Sequence, residues 1–163
     1  MNAPMVLSPE SLTRIEKAIA KYPADQRQSA VMAALTIAQS EKGWLSTETM
    51  DFVAQYLGMP PIAVFEAASF YGMYDLHPVG RNKITICTNL PCALSGAVVA
   101  ANHLKKKLGI GFNETTADGQ FTLKEGECLG ACGDAPVCLH NDKNMMSFMT
   151  SDKLDVWIEE LRK

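Results

Sequence analysis

The chain has 163 residues, 47% hydrophobic and 20% charged, enough to bury one domain of ordinary size, or one domain with a small appendage. Its net charge of −3 speaks against nucleic acid as a main partner, because phosphate binding needs a basic surface. The opening MNAPMVLSPESL has no basic region and no apolar core of leader length, and no apolar stretch approaches the roughly 18 residues of a membrane span. The expectation is a cytoplasmic protein without direct membrane insertion, whose five cysteines are an odd number and fit a disulfide framework poorly.

The first third reads as helices. Ser8-Pro9 is an N-cap followed by proline at the first helical position, with Leu12, Ile15 and Ile19 at helical spacing. Asp25 and Gln28 have capping-box spacing and predict a second helix with Val31, Ala34, Leu35 and Ala38 on one face and Gly43 at its end. Ser46 predicts the cap of a third helix carrying Met50, Val53, Ala54 and Leu57, closed by Gly58. Pro60-Pro61 starts a fourth, through Val64, Phe65 and Ala68. Phe70, Tyr71 and Tyr74 are read as core. The character of the chain changes there, and Pro78 and Gly80 punctuate it. The division placed on this change is a helical bundle over 1–76 and a second domain over 77–163.

The second domain reads as β-α-β-β-β-α. A strand over 83–87 leads to a helix over about 93–108, with Leu94, Ala97, Val98, Ala101, Leu104 and Leu108 as its apolar stripe. Lys105, Lys106 and Lys107 are read as its solvated end. Strand character follows at 120–124, then paired strands at 137–140 and 145–149 around a turn. Thr150 or Ser151 caps a last helix with Leu154, Trp157, Ile158 and Leu161. The pattern leaves the strand order open.

Four cysteines form two close pairs, Cys87 with Cys92 in CTNLPC and Cys128 with Cys132 in CLGAC. Four thiolates are a complete ligand set for a soft metal centre, and a [2Fe–2S] cluster, with two thiolates per iron, is the best candidate. Structural zinc is the rival, although zinc sites favour pairs separated by two residues. Gly130, Ala131 and Gly133 allow close backbone approach. Leu90, Leu94, Leu129 and Val137 are the expected apolar collar. Cys138 lies in the apolar run VCL and is read as a buried structural thiol. His77, His103 and His140 show no ligand spacing to the cysteines. No glycine-rich nucleotide loop is present, so NADH and flavin are expected on another protein.

CTNLPCALSGA followed by ECLGACGDAPV resembles the cluster-binding signature of the E-type subunits of bacterial NADH–quinone oxidoreductases, respiratory complex I. The helical front and ASFYGMY are similar to that family too. The resemblance implies an α/β protein, an N-terminal helical bundle followed by a thioredoxin-like [2Fe–2S] ferredoxin domain. It implies that Cys87, Cys92, Cys128 and Cys132 are the ligands of one cluster. It implies a flavoprotein partner, the F-type subunit that binds FMN and NADH, beside other subunits of the peripheral arm on the cytoplasmic face of the membrane. Related subunits serve NAD-linked formate dehydrogenases and NAD-reducing hydrogenases.

Overall fold

The computed structural model describes residues 6–163; residues 1–5, part of the stretch read for a leader, lie outside it. The chain divides into two compact units, Met1–Pro78 and Val79–Lys163.

The first unit is helical: α1 (Pro9–Ile19), α2 (Val31–Lys42), α3 (Thr47–Leu57) and α4 (Pro61–Phe70). Ser8 caps α1 by accepting the Ser11 N–H on its Oγ at 3.2 Å. A capping box would place an acid at the third helical position, but Ser11 stands there. Glu41, at the far end of α2, supplies the carboxylate instead. It accepts the Ser8 N–H at 3.0 Å and the Ser8 hydroxyl at 2.9 Å. A hydrogen bond from the Ser11 side chain, with the two from Ser8 after it, pulls the Glu41 carboxyl down to about 2. Ser46 caps α3 in the same way, accepting the Thr49 N–H at 3.1 Å.

The core of this unit includes Leu7, Ile15, Leu35, Leu45, Val53, Leu57 and Val64. Tyr74 belongs to it, and its hydroxyl donates to the Met32 carbonyl at 2.8 Å. The Gln39 amide ties the segment after α4 to α2. It donates to the Met73 carbonyl at 2.9 Å and accepts the Asp75 N–H at 2.7 Å.

Three expectations change here. The Asp25–Gln28 box does not form: the Gln28 amide bonds Gln26, a short 3-10 turn occupies Arg27–Ala30, and α2 starts at Val31. Phe65 is exposed. So are Phe70 (80%) and Tyr71, which leaves Tyr74 as the core member of the aromatic segment. Phe70, the last residue of α4, lies off the buried Val64–Ala68 stripe, and the backbone at Tyr71 has already left the helix.

The second unit holds β1 (Asn82–Cys87), α5 (Leu90–Leu94), α6 (Ala97–Leu108), β2 (Glu114–Thr115), β3 (Phe121–Gly126), β4 (Cys138–His140), β5 (Asn144–Met146) and α7 (Ser151–Leu161). The five strands form one mixed sheet in the order β2-β3-β1-β4-β5. β1 pairs parallel with β3; the other pairings are antiparallel. A parallel pair needs a long crossover, and α5 with α6 provides it. α6 and α7 pack on each other and share an apolar cluster with the strands, including Ile84, Ile86, Leu104, Leu123, Leu154 and Ile158. His103 and Lys107 of α6 reach Asp155 of α7 at 2.8 and 3.0 Å. The lysine run is thus not simply a solvated end.

The helix expected over 93–108 is two helices. Gly96 breaks it at φ +93°, a backbone conformation that side chains with a Cβ rarely adopt. The break separates α5 from the α6 stripe, and Leu94 is 81% exposed; Val98, within α6, lies off its buried Ala97, Ala100, Ala101, Leu104 and Leu108 face and is exposed too. β2 leaves no signal in the sequence, because two residues carry no periodicity.

Two pH effects follow from this packing. A Glu41 carboxyl held near 2 is ionised in the folded chain while the unfolded chain takes up a proton near 4.5. The stability it confers is present above 4.5 and is lost as the pH falls toward 2. Glu41→Gln should lower the melting temperature at neutral pH and lose its effect at the acid end of that window. An equal deficit at both ends would refute this.

His140 works in the opposite sense to a paired histidine. Burial lowers its pKa below 6.5, and its Nε2 lies 3.1 Å from the Asn82 side-chain oxygen. As pH falls through 6.5 the unfolded chain binds a proton that the folded chain resists, so stability declines below that pH. Calorimetry of wild type and His140→Gln should show a steeper acid decline in wild type; parallel profiles would refute the assignment.

Candidate metal centre

The parallel pairing of β1 with β3 runs from Asn82↔Phe121 to Cys87↔Gly126. Both strands therefore end side by side, and the loops that carry the two cysteine pairs leave from the same end of the sheet. Open α/β sheets place ligands there, beyond the carboxyl ends of parallel strands. Gly126 makes the close approach feasible, since a Cβ at that position would lie 2.8 Å from the Thr85 Cγ2.

The first loop is short and firm. Cys87 is the last residue of β1 and is buried. Asn89 caps α5 by accepting the Leu90 N–H on its Oδ1 at 3.2 Å. Pro91 sits in the first turn of that helix, where its missing N–H costs nothing. Cys92 follows inside α5, buried beside Cys87. Burial pushes the Cys92 thiol up to about 11, and the adjoining Cys87 and Cys132 thiols reinforce the shift.

The second loop is more open. Cys128 and Cys132 are both exposed. Gly130 has a positive φ, and Cys132 opens a 3-10 turn that ends at Asp134. That turn is fastened from behind. The Asp134 carboxylate accepts the Ser147 hydroxyl at 2.8 Å, and the Asp134 carbonyl accepts the Phe148 N–H at 2.8 Å. The two loops also meet directly: the Cys87 thiol donates to the Glu127 carbonyl at 3.4 Å, and so does the Asn89 amide.

A small apolar cluster lies beneath the loops. Cys87, Cys92, Ala97 and Val137 form it, with Leu129, Ala131 and Ala135 packed against them. This corrects the expected collar: Val137 and Leu129 belong to it, whereas Leu90 (69% exposed) and Leu94 point outward. Cys138 is fully buried in the main core of the unit, where burial pushes its thiol up to about 12. Its strand partner is Ile86. Neighbouring residues of a strand face opposite sides, so Cys138 lies on the Ile86 side of the sheet and Cys87 on the other.

Among the described residues, no three His, Cys, Asp or Glu side chains are drawn tightly enough together to hold a metal ion. The structure brings Cys87, Cys92 and Cys132 into one neighbourhood and leaves Cys128 exposed on the adjoining loop. The donor chemistry fits an iron–sulfur group: four thiols on two loops, an apolar floor, and one open side. Among the described residues no helix is long and apolar enough to cross a membrane.

Comparison with known proteins bears on this donor set. Residues 15–162 match the family model described as thioredoxin-like [2Fe-2S] ferredoxin. An E-type NADH-quinone oxidoreductase subunit of Rickettsia bellii is 41% identical over 154 residues, covering 94% of this chain and 92% of that protein. The mitochondrial NADH dehydrogenase [ubiquinone] flavoprotein 2 of Dictyostelium discoideum is 41% identical over 158 residues; the match spans 94% of this chain but 64% of that longer protein. Among solved structures, an air-oxidized NAD+-reducing [NiFe]-hydrogenase aligns with a TM-score of 0.73 at 25% identity, over 86% of this chain and 24% of the hydrogenase chain. With nearly its whole length matched, and with paired cysteine loops at the ends of adjacent parallel strands, the chain belongs to the thioredoxin-like [2Fe–2S] ferredoxin family.

Proposed function

We propose that the chain is the electron-transfer subunit of an NADH–quinone oxidoreductase. In this reading it holds one [2Fe–2S] cluster on Cys87, Cys92, Cys128 and Cys132, within a cluster domain over 77–163. The observation that carries it is the convergence of both cysteine pairs at one end of the β1–β3 pair. When bound, the cluster accepts and releases one electron at a time.

The chain's own residues hold the group and shape its surroundings. Cys92 Sγ must give up the proton that burial favours, so loading is accompanied by proton release and weakens as the pH falls. Cys87, Cys92, Ala97 and Val137 keep water from one side. Cys128 and Cys132 occupy the exposed side, where an electron partner can approach. The exposed Leu90 and Leu94 flank Cys92 on α5 and offer an apolar rim of the kind that marks a protein interface. The partner proposed for that rim is the F-type flavoprotein, which binds FMN and NADH, within the peripheral arm on the cytoplasmic face of the membrane.

A second reading, the equivalent subunit of an NAD-reducing hydrogenase or formate dehydrogenase, draws on the hydrogenase likeness. The likeness to the quinone oxidoreductase is the closer of the two, at 41% identity against 25%. Anaerobic purification of the tagged chain from its own cells separates the two. Co-purifying FMN and NADH-dependent quinone reduction are expected; a nickel or molybdenum protein in their place would favour the second.

The ligand assignment has its own test. Anaerobically reconstituted protein should carry about two irons and two labile sulfides, with an S = 1/2 EPR signal after dithionite. Single alanine replacements of Cys87, Cys92, Cys128 or Cys132 should each abolish that signal. Cys138→Ala should retain it. Stoichiometric zinc without iron after reconstitution, or a full native signal in Cys128→Ala, would overturn the assignment.

A further inference from the structure

We propose that Asn89 is a positioning residue whose single side-chain amide clamps the two cysteine loops together. The inference rests on the four-cysteine reading above. The β1–β3 ladder ends at Cys87↔Gly126, and each loop leaves it before its second cysteine is reached. Asn89 stands two residues past Cys87, and its side chain takes over where the ladder stops. Oδ1 accepts the Leu90 N–H at 3.2 Å, fixing the start of the helix that carries Cys92. Nδ2 donates to the carbonyl of Glu127, the residue before Cys128 and 38 positions away in the chain. One amide thus holds both loops.

The residue type matters. Capping alone would be served about as well by Ser or Asp at this position. A clamp needs an acceptor and a donor on the same short side chain, and Asn provides both. Aspartate is nearly the same size, but its ionised carboxylate has no donor for the Glu127 carbonyl. The Thr88 N–H reaches the Gly126 carbonyl at 3.3 Å, and the Thr88 hydroxyl reaches Glu125 at 2.6 Å. Those contacts continue the ladder and stop short of Glu127. The Asn89 amide and the Cys87 thiol both donate to that carbonyl. Partners behind a ligand hold it for the metal, and their loss commonly weakens binding tenfold or more.

The test uses the full chain, reconstituted anaerobically with iron and sulfide, and three variants. Asn89→Asp keeps the cap and removes the donor. Asn89→Ser keeps a capping oxygen, lacks the reach and adds no charge. Asn89→Ala removes both functions. The readouts are the rate of iron loss to a chelator, the EPR g-values of the reduced protein, and the melting temperature of the cluster-free protein. All three variants are expected to release iron about tenfold faster than wild type, on the scale typical of such partners, with shifted g-values. The Asp and Ser proteins should melt as wild type does without the cluster, since their cap is kept. If Asn89→Ala fails to fold, the Asp and Ser variants decide the matter alone. Wild-type release rates and g-values in both would overturn the clamp, as would a defect confined to Asn89→Ala, which would show a cap and nothing more. A wild-type chain that takes up no iron would overturn the four-cysteine reading and this one with it; a normal wild-type cluster beside an unaffected Asn89→Asp would overturn the clamp alone.

Discussion

The parallel pairing of β1 with β3 is the constraint on which the site depends. Cys87 and Cys128 are 41 positions apart in the sequence, and only a lateral register brings their loops to one place. Parallel strands cannot be joined by a tight turn, so the chain must leave the sheet, run through α5 and α6, and return. That crossover does two jobs. α6 covers the sheet with Ala101, Leu104 and Leu108, and α5 keeps Cys92 at the strand end. Ile84 and Ile86 on β1 and Leu123 on β3, all fully buried, hold the register, because a slip by one residue would turn those side chains to the opposite face. The geometry of the thiols is thus inherited from a core that contains none of the four.

The two loops differ in kind, and the difference has chemical consequences. Cys87 and Cys92 sit in a dry cluster, tied to strand and helix; Cys128 and Cys132 lie on a loop open to solvent. Burial favours the protonated thiol, which is why Cys92 is pushed up to about 11. A cationic centre reverses that preference by stabilising thiolate directly. Cys138 shows how strictly placement decides role. It is a thiol close to the site in sequence and in space, yet the alternation of β4 puts it in the main core with Ile84 and Leu104. Its own desolvation pushes the thiol up to about 12 and keeps it a protonated apolar side chain.

Much of the helical unit is readable because its signals are local. Ser8 and Ser46 are capping residues followed by clean 3.6-residue stripes, and both caps form. The Asp25–Gln28 pair has the right spacing and fails, since a 3-10 turn continuous with α2 already supplies the backbone hydrogen bonds that a box would supply. Phe70 and Tyr71 mislead for another reason: residue type favours burial, but position decides it, and Phe70 lies off the Val64–Ala68 face while Tyr71 stands past the end of α4. The sheet order is not readable, since pairing partners leave no mark on the strand itself. Within the site, the four cysteines announce themselves by spacing. The burial asymmetry does not, because it depends on where Val137 and Ala97 lie in three dimensions. Asn89 has a visible signal, a capping residue type just ahead of Leu90-Pro91, and what hides its second partner is the 38 positions separating it from Glu127.

The two apolar clusters of the second unit divide its labour. The larger one, built from α6, α7 and the central strands, supplies the burial on which folding rests. The cluster under the cysteines is made of three alanines, one valine, one partly buried leucine and the thiols Cys87 and Cys92, so it buries little and holds its loops with few dispersion contacts. Hydrogen bonds therefore do most of the shaping there: Asn89 to Glu127 on one side, Asp134 to Ser147 on the other. Such an arrangement suits a bound group that brings its own free energy. The scaffold folds on its large core and the polar ties shape the loops; in the proposed four-cysteine reading, ligation would add its own free energy at the exposed pair. A bulkier apolar floor would fix the loops more firmly but would fill the space that the group needs.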